Sequence, residues 1–226
     1  MTVTGQATPG RATAWGADTP IDEQQARDRL LDAAEACYAD RGPSRTRMSD
    51  IAHRAGVHRT TVYSYFPSKD AVLAACFVRA VAEVLDAGEP CWHTDEPFLE
   101  QLVQAMLIGM EAGRRSPTMR LLIAGQEAGR TFRAAEASEL WRRDLAGNLG
   151  QRIAAAAATG QVRDDVSPET MAHWVTRIAF SLIAEPARPE DGGDEGILRT
   201  FLIASLAPPT TTDDVTPAAP GGAGKD

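Results

Sequence analysis

Gly56 stands between two short apolar runs at helical spacing, Ile51-Ala52-Ala55 before it and Val57-Val62 after it. No other feature constrains the fold as tightly. Glycine tolerates the positive φ that residues with a β-carbon resist, so Ala55-Gly56-Val57 permits an abrupt turn between two helices. The first of these is expected to start after Thr46 as N-cap, and the second to run from about Arg59 to Tyr65. Ile51, Ala52, Val57 and Val62 would knit the pair to a preceding helix. Arg59, Thr60, Thr61, Tyr63 and Tyr65 would then lie on the exposed surface of the second helix. Such a helix fits the major groove of DNA, with its N-terminal residues reaching base edges.

Helical spacing continues on both sides. Leu30, Leu31, Ala34, Cys37 and Tyr38 form one face of a helix stopping near Gly42-Pro43. Pro67-Ser68 caps a long fourth helix with the stripe Val72, Leu73, Cys76, Phe77, Ala80, Val81, Val84, Leu85, ending near Gly88-Glu89-Pro90. A fifth helix starts at Pro97, and an apolar run from Met119 to Ala128 follows Ser116-Pro117. Leu140, Trp141, Leu145, Leu149 and Ile153 line a long helix ending at Thr159-Gly160. Ser167-Pro168-Glu169 opens the next helix, about 168–185, and a terminal one covers about 194–207. With aromatic residues only 6% of the chain and β-branched residues sparse, the fold class expected is all-α.

Residues 1–20 and 208–226, rich in Thr, Ala, Gly and Pro, read as a disordered arm and tail. The division expected between them is 21–68 as a helix-turn-helix domain, 69–90 as a connecting helix and 91–207 as a helical ligand-binding and dimerisation domain. Cys37, Cys76 and Cys91, an odd number without CxxC spacing, point away from disulfides and zinc. No metal or cofactor is expected. No stretch suggests a secretion signal or membrane span, so a soluble cytoplasmic protein is expected. No P-loop, GxGxxG, GxSxG or HExxH occurs, so the chain is not read as an enzyme. Between Arg41 and Lys69 six basic residues face the single acid Asp50. That local charge of +5 leaves −13 for the rest of a chain whose total is −8. A basic patch on an acidic body still attracts phosphates, because they feel the local field.

The run DIAHRAGVHRTTVYSYFPSKDAVL resembles the TetR/AcrR regulators' pattern of D-I-A, a spacer, A-G-V, then T-x-Y-x-Y/H-F-x-S-K-x-x-L. The matches are Asp50, Ile51, Ala52, Ala55, Gly56, Val57, Thr61, Tyr63, Tyr65, Phe66, Ser68, Lys69 and Leu73, within a resemblance covering roughly 25–75. It implies a sequence-specific regulator, commonly a repressor, released from a palindromic operator in double-stranded DNA by a small-molecule effector. Arg59, Thr60 and Thr61 would take base-edge and nearby phosphate contacts, and Tyr63 and Tyr65 the sugar-phosphate backbone. Lys69, Arg47 and Ser49 would hold phosphates, with His58 a further candidate at the turn. The resemblance also implies a homodimer through the last two helices, at Trp174, Ile178, Leu182, Leu198, Phe201 and Leu202. An effector pocket is implied within the fifth to eighth helices, with Met106, Met110, Leu122, Phe132, Trp141, Trp174 and Arg177 as candidates. Some alternatives stay open on the residues alone. Tyr63 is either a DNA contact or packing, and Cys91-Trp92-His93 is either a metal or redox site or structural. The whole chain is either a DNA-binding regulator or a helical protein-interaction module whose helix-turn-helix no longer binds DNA.

Overall fold

A computed structural model describes Trp15, residues 20–139, Trp141, Arg143 and residues 146–209. Apart from Trp15, Pro20, Pro208 and Pro209, the two expected tails lie outside the described residues, as do Leu140 and Leu145 of the expected long helix. Every regular element among the described residues is helical.

Short-range devices build the first helices. In α1 (Glu23–Arg41) the Asp22 carboxylate accepts from the N–H of Gln25 at 2.8 Å, and Gly42 ends the helix at φ 79°. In α2 (Met48–Ala55) the N-cap position belongs to Arg47, whose N–H donates to Asp50 Oδ2 at 2.9 Å. The expected Thr46 cap is therefore corrected: Thr46 is buried and its hydroxyl donates to Gly42 O and Cys37 O, stitching the loop to the end of α1. Gly56 takes φ 69°, ψ 33°, the left-handed turn its position requires, and α3 (Arg59–Tyr65) follows. Ser68 caps the long α4 (Lys69–Gly88) by accepting from the N–H of Ala71 at 3.0 Å.

α4 continues through a 3₁₀ turn (Glu89–His93) into α5 (Phe98–Arg115). These two helices pack closely because glycines leave room: a β-carbon on Gly88 would sit 2.8 Å from Ala105 O, and one on Gly109 3.0 Å from Val84 O. The expected single run after Ser116-Pro117 is two helices, α6 (Pro117–Ile123) and α7 (Gly125–Glu136). They are separated at Ala124, which turns to ψ 128°. A π-helical turn (Ala146–Gly150) leads into α8 (Gln151–Ala158), and α9 (Pro168–Ala184) is capped by Ser167. The last helix among the described residues, α10, runs Gly193–Ile197, a π turn Leu198–Leu202, then Ile203–Leu206.

The core of the larger half is an aromatic cluster around fully buried Phe77 of α4. Its ring lies 5.6 Å from Phe132, 5.4 Å from Trp141 and 5.1 Å from Phe180, in the tilted and edge-on arrangements that aromatic quadrupoles favour. Arg79 of α4 ties the first three helices (the head) to the helices after α4 (the body), reaching Glu35 at 2.6 Å and Asp32 at 2.8 Å on α1. From α6, Thr118 donates to the other oxygen of Glu35 at 3.1 Å.

Candidate nucleic-acid interface and effector cavities

Helical periodicity sorts the residues of α3 into two faces. Arg59, Thr60 and Tyr63 point to solvent, while Thr61, Val62 and Tyr65, three to four residues apart, point inward. The expected exposure of Thr61 and Tyr65 is corrected: both are 8% exposed. Tyr65 lies beneath Trp15, edge to face at 6.0 Å between ring centroids, and its carbonyl accepts from Arg27 at 3.1 Å. Trp15 is itself 3% exposed, although composition places it in a structureless arm. It is the lone large aromatic residue of that arm, which is the signal that marks it as an anchor. Arg29 lies 5.3 Å from the Trp15 ring and donates to Ala55 O at 3.0 Å, bracing the turn at Gly56 from behind.

On the outward face, Arg59 donates to the Tyr63 hydroxyl at 3.0 Å and its guanidinium stands 5.2 Å over the ring. Tyr63 is 39% exposed, so its ring serves this surface and not the core. His58 is the N-cap of α3, its Nδ1 accepting from the N–H of Thr60 and standing 2.8 Å from the Thr60 hydroxyl. Arg47 and Ser49 are exposed at the start of α2. Of the six basic residues in this stretch, Arg41 pairs with Asp50 at 3.5 Å and Arg54 with Asp40. Among the described residues Arg45, Arg47 and Arg59 have no acid partner. Lys69 is half-buried and donates to Ser44 O at 2.7 Å. Burial, with Arg130 adding repulsion, holds its pKa below the ordinary lysine value.

Two of the cavities among the described residues lie wholly within the body. The first, about 500 Å³, lies between α4, α5 and α9, with Val78, Val81, Met106, Met110, Ala179 and Ile183 among its walls. Its charged side chains, Asp86 and Arg143, are both exposed. The second, about 460 Å³, lies between α7 and α9. Trp141 and Phe180 line both. The expected pocket residues therefore divide. Met106, Met110 and Trp141 face the first cavity, and Phe132, Trp141 and Arg177 the second. Leu122 is fully buried core and Trp174 is exposed, and neither lines either cavity. The walls contributed by α4 are a gain over the sequence, whose stripe on that helix reads equally well as plain core.

Of the expected dimer face, Leu182, Leu198 and Leu202 are buried within the subunit, because they occupy the inward stripe of their helices. Trp174 at 36% and Phe201 at 61% are exposed, and Ile178 is half-buried. At the end of α4, Glu89 holds Arg152 through both oxygens at 2.9 Å, and the guanidinium lies 4.8 Å over Trp92. Cys91 and His93 flank this assembly, His93 Nδ1 lying 3.1 Å from Glu89 O. Cys37 and Cys76 are buried and burial raises both thiol pKa values, whereas Cys91 is half-buried. No described helix is long and apolar enough to cross a membrane.

Residues 30–76 match the family model described as bacterial regulatory proteins, tetR family. An uncharacterized HTH-type transcriptional regulator of Mycobacterium tuberculosis, MT1294, is 28% identical over 199 residues, covering 81% of this chain and 86% of that protein. The HTH-type transcriptional repressor KstR of Rhodococcus jostii is 28% identical over 166 residues, covering 69% of this chain and 75% of the repressor. Among solved structures, the TetR-family repressor QsdR of R. erythropolis superposes with a TM-score of 0.56 at 20% identity, covering 81% and 94% of the two chains. RolR, solved in complex with resorcinol, superposes with a TM-score of 0.60 at 16% identity over 81% and 88%. These likenesses lend no support to an interaction module that has lost DNA binding. The family match falls on the stretch that carries Gly56, Arg59 and Tyr63, and the relatives extend the likeness through the body, so residues 30–76 form a DNA-binding domain of the tetR type and the chain is a DNA-binding transcriptional regulator.

Proposed function

We propose that this regulator is a cytoplasmic homodimeric repressor, not an enzyme, which leaves a palindromic operator when a small molecule enters its body. The observation that carries the DNA half is the Arg59–Tyr63 face of α3, exposed, preordered and without an acid partner. Arg59 would read a guanine edge in the major groove, a bidentate contact worth about 1–3 kcal/mol of discrimination. Thr60 and Tyr63 would contact adjacent base edges and backbone, and Arg47 and Ser49 the flanking phosphates. His58 acts here by capping α3. Lys69 would reach a phosphate only by giving up Ser44 O, and Thr61 and Tyr65 act by packing α3 rather than by touching DNA.

One helix-turn-helix offers limited contact area, and two half-sites about 34–36 Å apart are the usual solution. Trp174, Ile178 and Phe201, apolar and exposed or half-buried on α9 and α10, are the residues a second copy would cover. Residues 21–68 form the reading head in this scheme, 69–90 the connection and 91–207 the effector and dimer body. The first cavity is the effector site favoured, since α4 both lines it and begins at the head. That KstR is a repressor and that RolR was solved with resorcinol supports the repressor and small-molecule parts of this reading. A ligand acts only through differential affinity for a second α4 arrangement, and a tenfold shift takes about 1.4 kcal/mol.

Selection of a random double-stranded DNA library on the purified protein tests the scheme. Enrichment of an inverted repeat, lost in Arg59→Ala/Tyr63→Ala and weakening with salt, is expected. No enrichment by folded, ligand-free dimer would overturn it.

A further inference from the structure

Among the described residues, the second cavity differs from the first in the charge of its rim: two arginines and a histidine against one carboxylate, where the first has one arginine and one aspartate. Its inner wall is aromatic, made by Phe132 of α7, Phe180 of α9 and Trp141, whose packing around Phe77 holds their faces in place. Its rim is charged and unbalanced. Arg133 and Arg177 stand with His173 around it, and among the described residues Glu136 is the one carboxylate. Arg133 makes no ion pair among the described residues. Arg177 meets Glu136 at only 3.4 Å, with both side chains more than half exposed, a geometry of little net worth in water. On α9, His173 and Arg177 lie one turn apart, while Trp174 and Ile178 are each one residue on, about 100° round the helix. The rim and the proposed dimer face are thus neighbouring but separate surfaces.

We propose that this cavity is a second small-molecule site, and that it takes aromatic carboxylates. The ring would slot among Phe132, Trp141 and Phe180, and the carboxylate would be held by Arg133 and Arg177 at the rim, a planar pairing suited to guanidinium forks. Occupancy bears directly on the helix that holds the head. α7 presents Phe132 and Arg133 to the cavity, and from the same helix Glu127 accepts from the Ser44 N–H at 3.1 Å and Arg130 holds Asp70 at 2.7 Å. The other Glu127 oxygen is buried without a hydrogen-bond partner, so this clasp carries a desolvation cost and is cheap to release.

The test is calorimetric titration of the full chain with 2-naphthoate, 2-naphthol and 2-naphthylmethylammonium, which share a ring and differ in charge. Naphthoate is expected to bind tightest and to weaken about tenfold or more in Arg133→Ala/Arg177→Ala, the loss expected for charge-assisted contacts. The same variant should leave naphthol unchanged. Arg143→Ala, at the mouth of the first cavity, should bind naphthoate as the parent does. Equal binding of the three probes, or a loss in Arg143→Ala but not in the double variant, would overturn the proposal. No DNA enters this titration, so its failure leaves the operator reading standing, and failure of the operator reading leaves this result unaffected.

Discussion

In the head, helix ends are closed by named local hydrogen bonds: Asp22 on α1, Asp50 on α2, His58 on α3 and Ser68 on α4. In the body, where Ser116 and Ser167 cap two helices in the same way, the order of helices is interrupted by two π turns and leaves, among the described residues, cavities of about 500 and 460 Å³. The contrast follows from what each half must fit. A duplex groove has fixed dimensions, so the parts of the head are dictated residue by residue. A body that accommodates small molecules needs room and a stable wall around it, which many packings supply.

Phe77→Ala attacks the body where the contrast is greatest, because its ring is the hub of the cluster between the two cavities. A loss of about 3–5 kcal/mol is expected in urea unfolding, as for other fully buried aromatic residues. A loss below about 1 kcal/mol would mean that the cavities already uncouple the cluster, and would remove the distinction drawn between wall and void. Gly56→Val comes next and attacks the head. A β-branched residue forced to φ 69° costs about 1–2 kcal/mol or shifts the turn. Operator binding should fall while the body's thermal transition is retained, and normal DNA binding would show that the turn is not held to close tolerance.

Ser68→Ala removes the cap of α4, with an expected loss of about 1 kcal/mol. The smallest effect is a pH dependence confined to the body. Arg199 meets Glu100 at 2.6 and 2.7 Å, and hydrogen bonds from Arg199 and Gln104 lower the Glu100 pKa from 4.5 to about 2. A depressed carboxylate stabilises the fold above its unfolded pKa and loses that contribution as pH falls through the folded value. The parent should therefore lose a small increment of stability below about pH 4.5 that Glu100→Gln lacks, read by urea unfolding from about pH 6 down to about pH 3. Identical profiles would show the pair to be solvent-screened.

Most of the head was legible in the sequence because local chemistry specifies it. Gly56 has one physical solution, and the Ser68 cap is recognisable by its position before a long apolar stripe. Tyr65 shares the inward face of Val62, three residues before it, and the cover that completes its burial is Trp15, fifty residues away, a contact no periodicity records. Thr46 was misread because two carbonyls of α1's end compete for its hydroxyl. In the body the expected run from Met119 to Ala128 spans the break at Ala124 and stops inside α7: Ala128, Phe132 and Ala135 make a thin stripe, and a lone Gly125 does not by itself mark a helix start. The cavities were the least legible feature, since Val78 or Met110 facing a void and the same residue facing a neighbour are identical in sequence.

The three thiols are placed so that chemistry can tell them apart. Cys37 and Cys76 are sealed in helical cores, where burial disfavours the thiolate, while Cys91 lies half-open in the 3₁₀ turn joining α4 to α5. A thiol-reactive fluorophore should therefore attach at one position without any cysteine being removed. That position neighbours Trp92, an efficient quencher on the wall of the first cavity. The native chain thus carries its own attachment point at the far end of α4, where any movement can be followed in solution and in real time as DNA or a small molecule is added.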